Sequence, residues 1–154
     1  MFGAAVLAAV LALAGAPAGT TVTCHPDALV AQGGLVGGAL GITYRRPPAH
    51  IELYGPLVCA ALVYAQASPA ERLAIAELNP TVNFQAVVGV GLLVALHEAT
   101  HVGLNSGDEC LVEKTALAGL PGLISRYLDA FTVGRALAYA QASDASLPAQ
   151  YHGC

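Results

Sequence analysis

The hydrophobic positions of this chain gather into blocks of helical length. An apolar run covers residues 86–96, and the pattern around it predicts a buried helix over about 82–102. Residues 57–67 predict a second apolar helix. A third helix is predicted over 123–142, because apolar side chains recur there at helical spacing. These side chains are Ile124, Tyr127, Leu128, Phe131 and Leu137.

Polar and helix-breaking residues separate these blocks. Ser68-Pro69-Ala70-Glu71 has the form of a capping box, which predicts a helix that ends near Leu78. The polar segment 103–107 is long enough only for a reversal, so the next helix, beginning near Asp108, should pack antiparallel to the apolar one. We expect Gly119-Leu120-Pro121-Gly122 to interrupt that helix after Ala118.

β-branched and aromatic residues at 39–44 and 50–54 flank a turn that contains Arg45-Arg46-Pro47-Pro48, which predicts a β-hairpin. The hairpin could be a structural ribbon over the core, or an edge strand that pairs with an extended substrate. Residues 20–38 predict irregular structure with at most a short helix at 27–32. The expected fold is mainly α (α+β), a small helical domain with a short hairpin before its central helix.

Length and composition favour one domain and exclude some partners. The chain has 154 residues, of which 56% are hydrophobic and 10% are charged. Its net charge is −4 and it has only 6 Lys and Arg residues, so it has no basic patch for nucleic acid.

The amino-terminal stretch is typical of a signal peptide. An apolar segment is followed by Ala16-Pro17-Ala18, a small-x-small cleavage pattern, although Lys and Arg are missing before it. Its apolar core of about 13 residues is shorter than the roughly 20 that a membrane-spanning helix needs. We therefore predict a signal peptide at 1–18, a single domain at 19–154, a secreted or extracytoplasmic location, and no stable membrane span after the signal is removed.

All four cysteines follow the predicted cleavage site, and an even number in an exported chain indicates two disulfides. Three pairings are possible. We expect Cys24 to pair with Cys154, because they lie near the two ends of the mature chain, and Cys59 to pair with Cys110. A zinc site made of thiolates is the alternative, but the chain has no Cys-x-x-Cys spacing.

The apolar helix ends in His97-Glu98-Ala99-Thr100-His101, a His-Glu-x-x-His sequence. On a helix the two imidazoles lie one turn apart on the same face and can reach one metal ion. Glu98 is the only charged residue between positions 80 and 105, and burying a carboxylate without a partner is costly. A zinc ion would remove that cost and would acidify a water from which Glu98 could take a proton.

A hydrolytic zinc site usually takes a third protein ligand, and the candidates are Asp108, Glu109, Glu113 and His152. Antiparallel packing places Glu109 opposite His101 and Glu113 opposite His97. The two carboxylates, four residues apart, repel each other unless a cation lies between them. Alternatively, Glu109 belongs to a capping box formed by residues 106–109.

At these positions the chain resembles the zincin metallopeptidases, and within them the gluzincin type, in which a Glu on the following helix is the third ligand. The resemblance implies that Glu109 is the ligand and that Glu113 orients His97. Residues 96–117 also resemble small secreted actinobacterial proteins with the same motif. The likeness covers little more than 82–118, and the spacing from His101 to Glu109, shorter than in large gluzincins, implies a minimal site.

The expected function is a secreted zinc-dependent metallopeptidase, a hydrolase acting on a peptide or protein substrate, with Glu98 as general base. One alternative is a zinc-binding protein without turnover, in which Glu109 and Glu113 both bind the ion. Another is a metal-free, disulfide-stabilised module for protein contacts. The group that stabilises the oxyanion stays open among four residues: Tyr127, Tyr139, Arg126 and His152.

Overall fold

The computed structural model of this protein describes residues 3–26 and 40–154, in which helices predominate over a small sheet. The helices are α1 (Ala4–Ala14), α2 (Pro56–Gln66), α3 (Pro69–Leu78), α4 (Phe84–Gly103), α5 (Glu109–Ile124) and α6 (Ala130–Ala145). The strands are β1 (Thr21–His25), β2 (Gly41–Tyr44) and β3 (His50–Tyr54), and a short 3₁₀ turn covers Ala149–Tyr151. The expected mainly α (α+β) class is confirmed.

Helix α4 lies at the centre of the helical layer and packs against α1, α2, α5 and α6. It begins at Asn83, whose side chain accepts a hydrogen bond from the backbone N–H of Ala86 at 3.2 Å. Two of its glycines allow close approach of neighbouring helices. A Cβ at Gly89 would overlap the backbone of Ala136 in α6, and one at Gly91 would overlap the side chain of Ala61 in α2.

The predicted hairpin forms, with β2 antiparallel to β3 and Tyr44 opposite His50. A third strand, β1, pairs in parallel with the other edge of β3 and places Thr21 opposite His50. The expectation of irregular structure from position 20 is therefore wrong for β1, because this short strand depends on a partner that is remote along the chain. The short helix predicted at 27–32 lies outside the described residues.

Helix α5 continues through Pro121 to Ile124, so the predicted interruption at 119–122 is wrong. Leu120, Leu123 and Ile124 are fully buried, and this burial maintains the helix despite the missing N–H of the proline. The break falls after Ile124 instead. Helix α6 then begins at Asp129, whose carboxylate accepts backbone N–H bonds from the next turn, so the single helix predicted over 123–142 is also wrong.

Two disulfides form, and both differ from the expected pairs. Cys24 bonds to Cys59 at 2.04 Å, and Cys110 bonds to Cys154 at 2.13 Å. The expected pairing assumed that the two ends of the mature chain meet. Instead, α2 follows β3 directly and lies beside β1, while the last turn of the chain returns along α5. Two disulfides are compatible with an extracellular protein.

Helix α1 lies inside the predicted signal peptide and packs into the core. Val6 and Val10 are fully buried, and Gly103 at the end of α4 leaves space for the backbone of Ala14. Removal of residues 1–18 stays a prediction.

Within the described ranges, α4 is the one helix whose length and composition would allow it to cross a membrane. It has 20 residues, but 72% of its most apolar 18-residue window is buried inside the protein, as is typical of a core helix.

Candidate metal centre

The last turns of α4 bring two imidazoles together. His97 and His101 lie on the same helical face, both about nine-tenths buried, and their Nε2 atoms are 3.0 Å apart. The spacing of four residues therefore places both imidazoles on one face, as predicted.

The first turn of α5 adds a carboxylate to this pair. Oε2 of Glu109 lies 3.1 Å from Nε2 of His97 and 3.4 Å from Nε2 of His101. Asp108 is the N-cap of α5, because its side chain accepts a bond from the backbone N–H of Leu111 at 3.0 Å. Glu109 is thus not a capping residue, and its side chain faces the imidazoles.

These three donor atoms form a group that could hold a metal ion. Nδ1 of His101 lies 2.7 Å from the carbonyl oxygen of Ser106, which can only accept, so Nδ1 carries the proton and Nε2 presents a lone pair. Nδ1 of His97 faces a carboxylate oxygen of Glu113 at 2.5 Å, so its Nε2 also presents a lone pair. Two lone pairs and a carboxylate oxygen therefore converge, an arrangement that a cation stabilises.

Glu113 is buried and lies on the Nδ1 side of His97, as the antiparallel packing predicted. Glu113 thus contacts His97 on the side opposite the group of His97, His101 and Glu109, and it is not part of that group. Its other oxygen, Oε1, is buried without a hydrogen-bond partner among the described residues. Burial and the charge of Glu113 raise the pKa of Asp144 in α6, a neighbour that the sequence analysis did not identify.

Electrostatics in the metal-free protein favour a positive charge at this position. Burial by itself lowers the pKa of His97, but the bond to Glu113 and the charges of Glu98, Glu113 and Glu109 outweigh it, and the pKa is raised. The surrounding carboxylates thus favour a positive charge at this position.

The side chain of Glu98 contacts β2. The hydroxyl of Thr43 donates to its Oε2 at 2.6 Å and lies 3.0 Å from its backbone carbonyl oxygen. Gly41 provides the space, because a Cβ there would overlap the Glu98 side chain. Burial raises the pKa of Glu98, although Thr43 and the two imidazoles partly oppose this. Burial thus makes this carboxyl a stronger base than an exposed glutamate.

None of the four residues considered as oxyanion donors is hydrogen-bonded to His97, His101 or Glu109 among the described residues. Tyr127 packs against the hydrophobic core, and Tyr139 accepts a bond from the side chain of Asn83 at the opposite end of α4. Arg126 and His152 are exposed.

A tyrosine that the sequence analysis missed lies at the site instead. The ring of Tyr151 is 5.8 Å from the ring of His97, centroid to centroid, and the Cys110–Cys154 disulfide holds its segment against α5. Burial, followed by the charge of Glu109, raises the pKa of Tyr151 and keeps its phenol protonated. The correct pairing of Cys154 with the residue after Glu109 would have indicated this position.

Comparison with protein-family models, with curated proteins and with solved structures finds no match for this chain.

Proposed function

We propose that this protein is a secreted zinc-dependent peptidase. The observation that carries the proposal is the convergence of His97 Nε2, His101 Nε2 and Glu109 Oε2, which are separated by 3.0, 3.1 and 3.4 Å. Ligands at about 2.0–2.1 Å from a tetrahedral zinc ion lie about 3.3 Å from one another, so the three atoms fit zinc closely. The proposal agrees with the resemblance of the His97–His101 motif and Glu109 to gluzincins.

A bound zinc ion would supply a Lewis acid that polarises the substrate carbonyl and makes water acidic. Glu98 then takes a proton from the attacking water at its carboxylate and passes it to the leaving amine. Thr43 holds the carboxylate in place through its bond to Oε2. The neutral phenol of Tyr151 is the candidate donor to the oxyanion that develops on the carbonyl.

The location of β2 supports an extended peptide as the substrate. β3 pairs with one edge of β2, while the other edge is unpaired as far as the structure describes the chain. The same strand contributes Thr43, which contacts the base. A peptide that adds to this edge would therefore pass close to Glu98. The two disulfides fit an extracytoplasmic substrate pool.

The test is the substitution Glu98→Gln, which keeps the size of the side chain and removes its basicity. We expect the zinc content, measured by elemental analysis with and without chelator, to match the parent. Hydrolysis of a mixed peptide library, followed by mass spectrometry, should fall by at least two orders of magnitude, roughly the contribution of a general base.

The matched control is Glu77→Gln, which changes a carboxylate on the exposed helix α3 and should alter neither readout. A Glu98→Gln protein as active as the parent would refute the assigned base. Purified parent without zinc would favour a metal-free module for protein contacts, and zinc without turnover would favour a zinc-binding protein.

A further inference from the structure

A hollow of about 690 Å³ lies beside the candidate metal centre. It is lined by Thr43, Tyr44, Arg45, Arg46, Pro47 and Asn105. Two of these residues connect it to the site. Thr43 also donates to the carboxylate of Glu98, and Asn105 belongs to the turn that follows α4. A peptide positioned at Glu98 can therefore extend past Thr43 into the hollow.

The hollow is positively charged although the protein is acidic. It contains two of the 6 Lys and Arg residues of a chain whose net charge is −4, and its lining has no acidic side chain. Within residues 3–26 and 40–154, neither Arg45 nor Arg46 forms an ion pair. Their charge thus remains available to an anionic ligand.

Arg45 is held in a defined position. Its Nη1 donates to the backbone carbonyl of Asn105 at 3.0 Å. Its guanidinium also lies beside Gly107, where a Cβ would be 3.3 Å from Nη2. One N–H is thus used to fix the side chain to the turn between α4 and α5, and other N–H groups of the planar guanidinium remain for a ligand. A guanidinium with two free N–H groups matches a carboxylate by paired hydrogen bonds.

We propose that this hollow is a specificity subsite that binds a carboxylate of the peptide substrate through Arg45 and Arg46. The inference rests on the proposed peptidase function and adds its substrate class. The carboxylate belongs either to an Asp or Glu side chain close to the cleaved bond or to the carboxyl terminus of a short peptide. Both sources present the same planar anion to the guanidinium groups.

The experiment uses the zinc-loaded full chain and four matched peptides of one sequence. The peptides carry Glu or Gln next to the cleaved bond, each with a free or an amidated carboxyl terminus. We expect kcat/KM to be about five- to tenfold higher for peptides with the preferred carboxylate at low ionic strength, a modest factor because both arginines are exposed. A higher kcat/KM for Glu than for Gln peptides would indicate a side-chain carboxylate as the ligand. A higher kcat/KM for free-acid than for amidated peptides would indicate the carboxyl terminus.

The variants are Arg45→Gln, Arg46→Gln and the double change, with Arg126→Gln as the control for removal of an exposed positive charge. In the double variant, kcat/KM for the peptide with the preferred carboxylate should come close to that for its uncharged counterpart. Arg126→Gln should leave the difference between the two peptides unchanged. Arg45→Glu should reverse the preference, so that a Lys peptide is cleaved faster than the Glu peptide. Zinc content and circular dichroism report whether each variant retains the fold.

Binding without turnover keeps this inference separate from the proposed function. The same peptides, fluorescently labelled, are titrated into zinc-loaded Glu98→Gln protein with and without the arginine changes. If the parent cleaves none of them but Arg-dependent binding of the carboxylate persists, the peptidase proposal fails and the subsite stands. If the double arginine variant prefers the carboxylate peptides as strongly as the parent does, in cleavage or in binding, the subsite proposal is wrong.

Discussion

The outer face of the sheet and the hairpin formed by α4 and α5 each bring histidine and glutamate side chains together. On the sheet, Thr21, His50, Glu52 and Tyr54 form what we call the sheet cluster. The hydroxyl of Thr21 lies 2.7 Å from Nδ1 of His50, and Nε2 of that ring lies 3.3 Å from Oε1 of Glu52. The phenol of Tyr54 donates to the other oxygen of Glu52. Every acceptor in this cluster faces a group that can donate.

The helical cluster consists of His97, His101, Glu109 and Glu113. Its residue types are similar, but its acceptors outnumber its donors. Its two Nδ1 atoms face acceptors outside the ligand group, so the Nε2 atoms and Glu109 form a cluster with more acceptors than donors. Both imidazoles are buried, whereas His50 is partly exposed. The comparison indicates that burial and a surplus of acceptors, more than the presence of His and Glu, distinguish the candidate metal site from the sheet cluster.

The largest expected difference between the clusters is in metal binding. His101→Ala should reduce zinc from about one ion per chain to near zero, because two ligands remain of the three that such a site needs. His50→Ala should leave the zinc content of the protein unchanged. Elemental analysis after dialysis against micromolar zinc checks both. Equal zinc loss in the two variants would contradict the contrast drawn between the clusters.

A smaller difference is expected for the carboxylates that hold a histidine ring. Glu113→Gln keeps an acceptor for Nδ1 of His97 but removes its charge, and should weaken zinc affinity by about 10- to 100-fold, the usual range for such partners. Glu52→Gln, the matched change in the sheet cluster, should not alter affinity. Competition with a chromophoric chelator measures both. Retained affinity in Glu113→Gln would mean that this carboxylate does not support the ligand.

The smallest expected effect is a pH dependence of the free energy of unfolding that comes from the sheet cluster. The bond to Glu52 raises the pKa of Tyr54 to about 12, while the same bond lowers the pKa of Glu52. Since the unfolded tyrosine titrates near 10, the stabilisation from neutral Tyr54 is complete below pH 10 and is lost as the pH rises toward 12. Tyr54→Phe should lack this part of the pH dependence. Urea unfolding of parent and variant between pH 9 and 11.5 tests it.

The helical cluster could be predicted from the sequence because its geometry is local. The spacing of His97 and His101 is a property of any helix, and a turn too short for anything but a reversal places Glu109 and Glu113 on the facing side. The capping box at Ser68 was confirmed for the same reason. Signals within a few residues of one another need no knowledge of the tertiary fold.

The remaining features depend on contacts between distant parts of the chain. β1 forms only because β3 pairs with it in register, and both disulfides follow from how the sheet and the last turn pack. Thr43 and Tyr151 approach the site through these same contacts, so neither was identified. The continuation of α5 past Pro121 likewise reflects burial of neighbouring leucines, which local preference does not include.

All four side chains of the helical cluster belong to one unbroken span, residues 97–113, carried by two helices and the turn between them. Such a hairpin could be transplanted into an unrelated helical bundle with its ion-capturing geometry intact, while Thr43 and Tyr151 would be left behind. We expect a graft of this kind to bind a metal ion without cleaving peptides. The proposed metal binding thus depends on one continuous segment, whereas the proposed hydrolysis also needs Thr43 and Tyr151 from elsewhere in the fold.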